Sequence, residues 1–591
     1  MAARKIFIIF LILLCVDLAA DSLAAVPRLE AKDFAVRLYH AKEPLAVNEL
    51  AGASLLISGV EDNRLDYFKQ KFAAKIEEVK SYFKGRGVST ALADDLLQYM
   101  HKKYLKQYNV KQTKMDVLLD NGTFNCVSSA VFYLVLSRSL GFTVYGVKTT
   151  DHSLISLTIN DVSYDVETTS VFGFNPGEKR EFKDDFGKTT GYAYVPPGHY
   201  SERQRIGEKE LLFLILYDRV VLLLEEKQYS QAVSLAADGY ELLQDDFALT
   251  LLLQTFSQYS TWAVSAKQFA AGLDTLKKAI TIYKQVEKLK ELQNYLILQW
   301  TLEKIEQGDF QGAEVFITAE YKAKNVKKEN YEELMLYLYQ NKAEHSAKLN
   351  GYKAALEVVR EAMAIFDGDE RLFKLKIRYT YNYIIELVNK GNYDEASSVL
   401  IHSQGEKIFS DKDSTELFAY LYQKKAEQVF ASQGIWATLD MLEQGMNNLQ
   451  DKSLVIQIGE MYVFNYIKEL INKGKFNEAM ATLDGNYAQK FLKAKSAKDL
   501  LLFYYLTKAE ALAGEFGYLK GAECIEEGMA KLGRQSLLLN NYEAYIHNYV
   551  VMLAEAKEYK KALEVLGKAL SVLPESSLFK KDKKAIEENM N

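Results

Sequence analysis

Cys126 stands inside "NGTFNCVSSAVFYLVLSRSLGF", residues 121–142, at the lip of a long apolar run. Gly122, Thr123 and Asn125 ahead of it are turn and capping types, and Gly141 is a stop signal, so the run predicts a helix over 126–140. A thiol in the first turn of a helix meets the positive end of the macrodipole and unengaged N–H groups, and both favour a thiolate. A nucleophile also needs a base and a group to orient that base. His152 opens the strand-like "DHSLISL", and Asp165 lies in the next such segment, "SYDVETT". The "ND" at 160–161 between them is a hairpin signal, which sets His152 and Asp165 on neighbouring strands facing one side. Glu167 shares the strand parity of Asp165, and spacing alone leaves it as an alternative orienter.

The other reactive side chains lack such company. His199, in "VPPGHY", is a second candidate base but sits in a Pro/Gly loop suited to a linker. His40 and His101 have no partner motif, and His345, His402 and His547 are scattered singly, as packing or surface histidines are. Cys524, in "GAECIEEGMAKL", reads as a small buried apolar residue. "NGT" at 121 fits a glycosylation sequon, although a glycan there would obstruct the thiol. No HExxH, paired CxxC, glycine-rich phosphate loop or calcium loop is present, so no metal, nucleotide or other cofactor is implied.

Elements must position these groups, and the chain supplies two textures. Its 591 residues exceed one hydrophobic core, and 49% apolar content with mixed charge is the composition of a folded protein. A net charge of -6 offers no basic surplus for nucleic acid. At the start, Arg4 and Lys5 precede an apolar stretch from Ile6 to Val16 and then "DSLAAV", the layout of a secretory signal peptide over 1–24 cleaved after Ala24. That predicts a secreted or periplasmic protein with no transmembrane segment after cleavage. Leu14 before Cys15 is too bulky for a lipidation site.

Residues 25–205 combine helical segments with three strand-like runs, "FTVYGVKT", "HSLISLTIN" and "VSYDVETT", which predicts an α+β domain. Residues 206–591 repeat. "KQYSQAVSLA", "KQFAAGLDTLKKA", "NGYKAALEVVREA", "KGKFNEAMATL" and "KEYKKALEVLGKA" each carry a Gly or polar turn, an aromatic residue and, three positions on, a small residue. The small-residue markers are Ala232, Gly272, Ala313, Ala355, Ala396, Ala479 and Ala562, with degenerate copies at Leu439 and Ala522. Their spacing of 40 to 43 residues predicts nine stacked helix pairs, the small residue allowing close approach and the aromatic covering the turn.

The repeat pattern resembles tetratricopeptide repeats, with a period longer than the usual one and therefore longer helices. The front half, over roughly 45–180, resembles the transglutaminase-like branch of the papain-like cysteine fold, as found in secreted bacterial tetratricopeptide proteins. The resemblance is carried by "GTFNCVSSAVFYLVLSRSLGFTVYGVKTTDHSLISL", "YDVETTSVFGFNPG" and the upstream "AGASLLISGVED". It implies Cys126 as nucleophile, His152 as base and Asp165 as orienter, in an exported amide hydrolase, protease or acyl transferase. The repeats would then capture a peptide or protein substrate or partner. The alternative function is a non-catalytic envelope scaffold whose front domain and repeats bind protein partners.

Overall fold

The computed structural model describes residues 26–150, 152–177, 179–193, 203–447, 449 and 451–590. The signal segment at 1–24 and His199 lie outside the described residues. Helices α1 (Asp33–His40), α2 (Val47–Ile57), α3 (Asp62–Tyr82) and α4 (Thr90–Lys103) come first. Strand β1 (Gln107–Tyr108), helix α5 (Met115–Asn121), strand β2 (Thr123–Phe124) and helix α6 (Cys126–Ser139) follow. Every residue of α6 from Val127 to Ser137 is buried, because a helix with no polar face must be covered all round. Its cover comes from α2, α3 and α4 and from a four-stranded antiparallel sheet.

That sheet has the order β5-β4-β3-β6, with β3 (Thr143–Lys148), β4 (Ser153–Ile159), β5 (Val162–Val166) and β6 (Gln204–Ile206). Helix α7 (Arg180–Thr190) lies between β5 and β6 in the chain. The expected hairpin is present: Asn160 and Asp161 take φ of 49° and 64°, and Ile159 pairs with Val162. Strand β6 and the short parallel pairing of β1 with β2 had no clear alternation in the sequence and add to the expected three strands.

Nine helix pairs follow among the described residues, as the period predicts. They begin α8 (Glu208–Glu225) with α9 (Tyr229–Leu243), α10 (Asp246–Ser265) with α11 (Phe269–Ile282), and α12 (Glu287–Glu306) with α13 (Phe310–Lys322). Next come α14 (Lys328–Asn350) with α15 (Tyr352–Ile365), α16 (Glu370–Asn389) with α17 (Tyr393–Gly405), and α18 (Asp411–Met446), bent at Gly434 into two arms. The rest are α19 (Ser453–Asn472) with α20 (Phe476–Leu483) and α21 (Asn486–Phe491), α22 (Ala494–Phe516) with α23 (Tyr518–Leu532), and α24 (Ser536–Glu555) with α25 (Tyr559–Val572). A terminal α26 (Ser577–Met590) covers the last pair.

All nine marker residues are buried. A Cβ on Gly272 would come within 2.9 Å of Ala263 and 3.0 Å of Leu296, so the helices there approach closely. The aromatic before the marker also reaches beyond its own pair. In four pairs it meets an aromatic on the first helix of the next repeat. Tyr229 stacks on Trp262, Phe269 on Trp300, Trp436 meets Tyr466 and Phe476 meets Tyr504. Ring pairs of this kind add about 0.5–1.5 kcal/mol beyond area burial, so the motif links neighbours in the array.

The chain divides into two compact units, one ending at Leu338 and one starting at Tyr339. Compactness therefore does not change at the expected 205/206 boundary. The reason lies in α8, whose Leu211, Leu212, Phe213, Ile215 and Leu216 are fully buried and which packs against α2, α6 and β3. Leu45 N–H donates to Glu208 Oε2 at 2.6 Å, and Arg28 pairs with Asp238 of α9 at 2.8 Å. The first repeat is part of the front unit's core.

The turn inside each pair holds one residue of positive φ: Lys227, Lys267, Gly308, Gly351, Gly391, Gly434, Gly474, Gly517 and Lys557. Lysine occupies the left-handed region at three of them. Gly434, at φ 82° and ψ -171°, sits where essentially only glycine is found. Gly434→Ala should therefore lower stability by about 1–3 kcal/mol in chemical denaturation followed by circular dichroism. Gly567→Ala, in a helix with nothing within 4 Å of the new Cβ, should instead be neutral or stabilise by about 0.5–1 kcal/mol.

Candidate active site

Three elements deliver the reactive side chains to one place. Cys126 is the first residue of α6 and is half-buried, not sealed in the core. Asn125 caps the helix: its Oδ1 accepts from Ser128 N–H at 2.9 Å, and Ser128 Oγ accepts from Asn125 N–H at 2.9 Å. This capping box leaves the N–H groups of Cys126 and Val127 outside it. The Asn125 amide also donates to Asp218 Oδ2 of α8 at 2.9 Å, tying the helix start to the first repeat.

His152 sits just ahead of β4, its backbone carbonyl accepting from Thr149 N–H at 2.9 Å. Its Nε2 is 2.6 Å from Glu167 Oε2, and the ring faces the same cavity as Cys126. With Nε2 engaged by the carboxylate, Nδ1 is the nitrogen left for sulfur. The edge of the ring meets Phe186 with centroids 5.8 Å apart. Burial opposes a charge on this ring, but the negative charge of Glu167, which also hydrogen-bonds it, and the neighbouring Cys126 outweigh that. They hold the His152 pKa well above its ordinary value.

The orienting contact belongs to Glu167 and not to Asp165. Strand register explains the difference. The pairs Ile159↔Val162 and Ser156↔Asp165 put Asp165 four residues along β4 from His152, about 13 Å at strand rise, and Glu167 about half that. Asp165 instead pairs with Arg203 at 2.5 Å. Glu167 is fully buried, and its second oxygen accepts from Thr169 Oγ1 at 2.8 Å and Thr169 N–H at 3.2 Å. Thr168 is held in turn: its hydroxyl lies 2.8 Å from Ser129 Oγ of α6, and its carbonyl 3.1 Å from His101 Nε2. The sequence offered one sign of this support, the polar run "ETTS" that is wholly buried at 167–170.

Cys126 and His152 open on a cavity of about 600 Å³. Val127, Lys148, Ser153 and Arg203 line it from the sheet side, with Leu214, Tyr217 and Asp218 from α8 and Phe247 from α10. Tyr217 stacks on Phe247 at 5.6 Å, and the Lys148 ammonium lies 3.9 Å from the Phe247 ring centre while pairing with Glu210. These contributions from the first two repeats were not legible as site residues.

Other candidates lie elsewhere. Cys524 is 3% exposed, and burial pushes its thiol up to about 11, which makes it unreactive. His547 pairs with Asp582 at 2.6 Å, and exposed His402 lies near Glu406. No helix among the described residues is long and apolar enough to cross a membrane.

No protein-family model matches the chain, and no curated protein matches it. Among solved structures it is similar to menin, whose structure reveals the binding site for the Mixed Lineage Leukemia protein. Identity is 12% over 81% of this chain and 97% of that one, with a TM-score of 0.27. The TPR domain of P58(IPK) covers 64% of this chain and 97% of its own at 14% identity and TM-score 0.15. Yeast Tom70 covers 65% and 97% at 11% identity and TM-score 0.15. Scores this low define neither fold nor function, and the helical-repeat assignment rests on the nine pairs themselves.

Folding raises the His152 pKa, so the linked stability is complete below its ordinary value of about 6.5 and is lost as pH rises through the raised one. An NMR titration of the His152 ring should show a lower pKa in Glu167→Gln. In Asp165→Asn, whose carboxylate faces Arg203, the ring should titrate as in the unaltered protein. A shift in Asp165→Asn alone would reassign the orienting contact.

Proposed function

We propose that the chain is an exported, thiol-dependent enzyme of the transglutaminase-like kind, acting on amide bonds of a peptide or protein. The observation that supports this reading is the His152–Glu167 hydrogen bond beside Cys126 at a helix start, with Cys126 and His152 lining one cavity. The thiolate attacks the carbonyl carbon, and the carbonyl electron pair moves to oxygen. Backbone N–H groups at the start of α6, Cys126 among them, stabilise that oxyanion. Collapse of the adduct breaks the C–N bond as His152 passes its proton to the departing amine, leaving a thioester on Cys126. Water, losing a proton to His152, then releases the acid; an amine in its place gives a new amide. Glu167 keeps the ring oriented and its cation stabilised throughout.

A second reading is a binding scaffold. It is favoured by the helix pairs and by a cavity of about 530 Å³ in the second unit, where α15, α16 and α17 present Arg360 and Lys376 beside Glu357 and Glu406. Mixed charge over apolar Leu356, Val359 and Val399 suits a peptide segment.

Activity-based thiol probes on the purified protein separate the two. Labelling at Cys126 should vanish in Cys126→Ala with the fold intact, since a half-exposed thiol contributes little packing. Once a substrate is in hand, His152→Ala should come close to Cys126→Ala, and Glu167→Gln should cost about 10²–10⁴-fold in turnover. Asp165→Asn should cost far less. A Cys126 no more reactive than free cysteine across pH 5–9 would overturn the enzyme reading in favour of the scaffold.

A further inference from the structure

The cavity beside Cys126 has an uneven charge pattern. Three basic side chains line it, and each already has a carboxylate: Lys148 is held by Glu210, Arg203 by Asp165 at 2.5 Å and His152 by Glu167 at 2.6 Å. One carboxylate lines it, that of Asp218, and among the described residues no cation pairs with it. It accepts a hydrogen bond from the neutral Asn125 amide, 2.9 Å away. Asp218 thus stands at the α8 wall without a cation of its own.

The rest of that wall suits a particular shape. Leu214 and Val127 offer apolar surface for a methylene stem, and the stacked Tyr217 and Phe247 rings form a flat side. A long side chain ending in a cation uses all three features, with its stem on apolar surface, its side against the rings and its charge on the carboxylate. We infer that Asp218 is the anchor for an ammonium or guanidinium group on the substrate whose carbonyl Cys126 attacks. This rests on the thiol chemistry proposed above and adds the class of side chain that chemistry selects.

Burial agrees with an anchor awaiting its partner. Loss of water around Asp218 pushes its carboxyl up to about 6, the Asn125 amide opposing, so near pH 7.5 it is ionised at a cost that a bound cation relieves. The ionisable groups around it are Tyr108 of β1, Cys126 of α6, Lys148 of β3, His152 ahead of β4 and Arg203 ahead of β6. Cys126 and His152 govern the reactivity of the sulfur towards every electrophile alike. A ratio of rates between two electrophiles therefore cancels them and reads the subsite.

The test uses peptidyl chloromethyl ketones that differ only in carrying lysine, arginine or the neutral isostere norleucine at one of the two residues preceding the ketone. The second-order rate of Cys126 alkylation is measured for each. At pH 7.5 a cationic probe should outpace its norleucine counterpart by about ten- to a hundredfold, the range of a charged hydrogen bond. The ratio should fall towards one below pH 5, as Asp218 takes up a proton. Asp218→Asn, which can still accept the Asn125 hydrogen bond, should remove the preference. A ratio near one in the unaltered protein, or a preference that survives in Asp218→Asn, overturns the subsite while leaving the thiol reading in place. Should the variant not fold, the pH dependence of the ratio in the unaltered protein decides, and a preference that stays flat from pH 5 to 7.5 counts against Asp218. Failure of every probe to alkylate Cys126 removes the thiol chemistry and the subsite with it.

Discussion

Asn160 and Asp161 bind β4 to β5 in a single register, because two consecutive left-handed residues close a hairpin of the right twist in only one way. With Ile159 set opposite Val162, every later pairing is determined, and Glu167 arrives two residues from the level of His152. A slip of one residue would turn His152 and Glu167 to opposite faces of the sheet. The 2.6 Å contact between them, and with it the raised imidazole pKa, rests on that turn. The sulfur end of the site depends on a second fixed point, the Asn125–Ser128 capping box that starts α6 where the cavity begins.

These two fixed points belong to elements that could not hold each other alone. Helix α6 is apolar on all sides, so the sheet covers only part of it, and α8 from the first helix pair covers more. The same α8 brings Asp218 to the Asn125 amide and Tyr217 to the cavity wall. The first repeat is thus shared between array and site, and a division at residue 205 would strip both α6 and the cavity of a wall. Later helices need no such dual role: within one unit α10, α11 and α12 pack on each other, and Phe269 on Trp300 ties α11 to α12.

How much of this was legible varies with the range of the interaction. The nine pairs, the buried character of α6 and the hairpin at 160–161 follow from local periodicity and turn chemistry, which the sequence carries directly. The choice between Asp165 and Glu167 was also present in principle, since a two-residue turn fixes the register that separates them. Strand parity alone, which leaves both on one face, was too weak a criterion. What stayed hidden is long-range. The Asn125–Asp218 contact joins residues 93 apart, and Arg203, which occupies Asp165, precedes a three-residue strand with no visible alternation. Nor could the spacing show that the marker aromatics reach the next repeat, because it fixes their place on one helix and not the neighbour they meet.

The electrostatics of Cys126 bring these strands of argument together. Two positive influences face the sulfur, the start of the α6 dipole and an imidazole whose pKa Glu167 raises. One negative influence shares the cavity, the Asp218 carboxylate, which burial holds near 6 and which is ionised near pH 7.5. The dipole is fixed by the backbone and does not titrate, so the balance lies between the two carboxylates. Glu167 is fully buried and saturated with hydrogen bonds from Thr169 and the His152 ring, which commits its charge to the imidazole. Asp218 has the neutral Asn125 amide as a donor and an open cavity beside it. A cation arriving with a substrate would neutralise the negative charge and leave the positive ones untouched. The saturated carboxylate thus serves the imidazole, and the unsaturated one is left for an arriving cation.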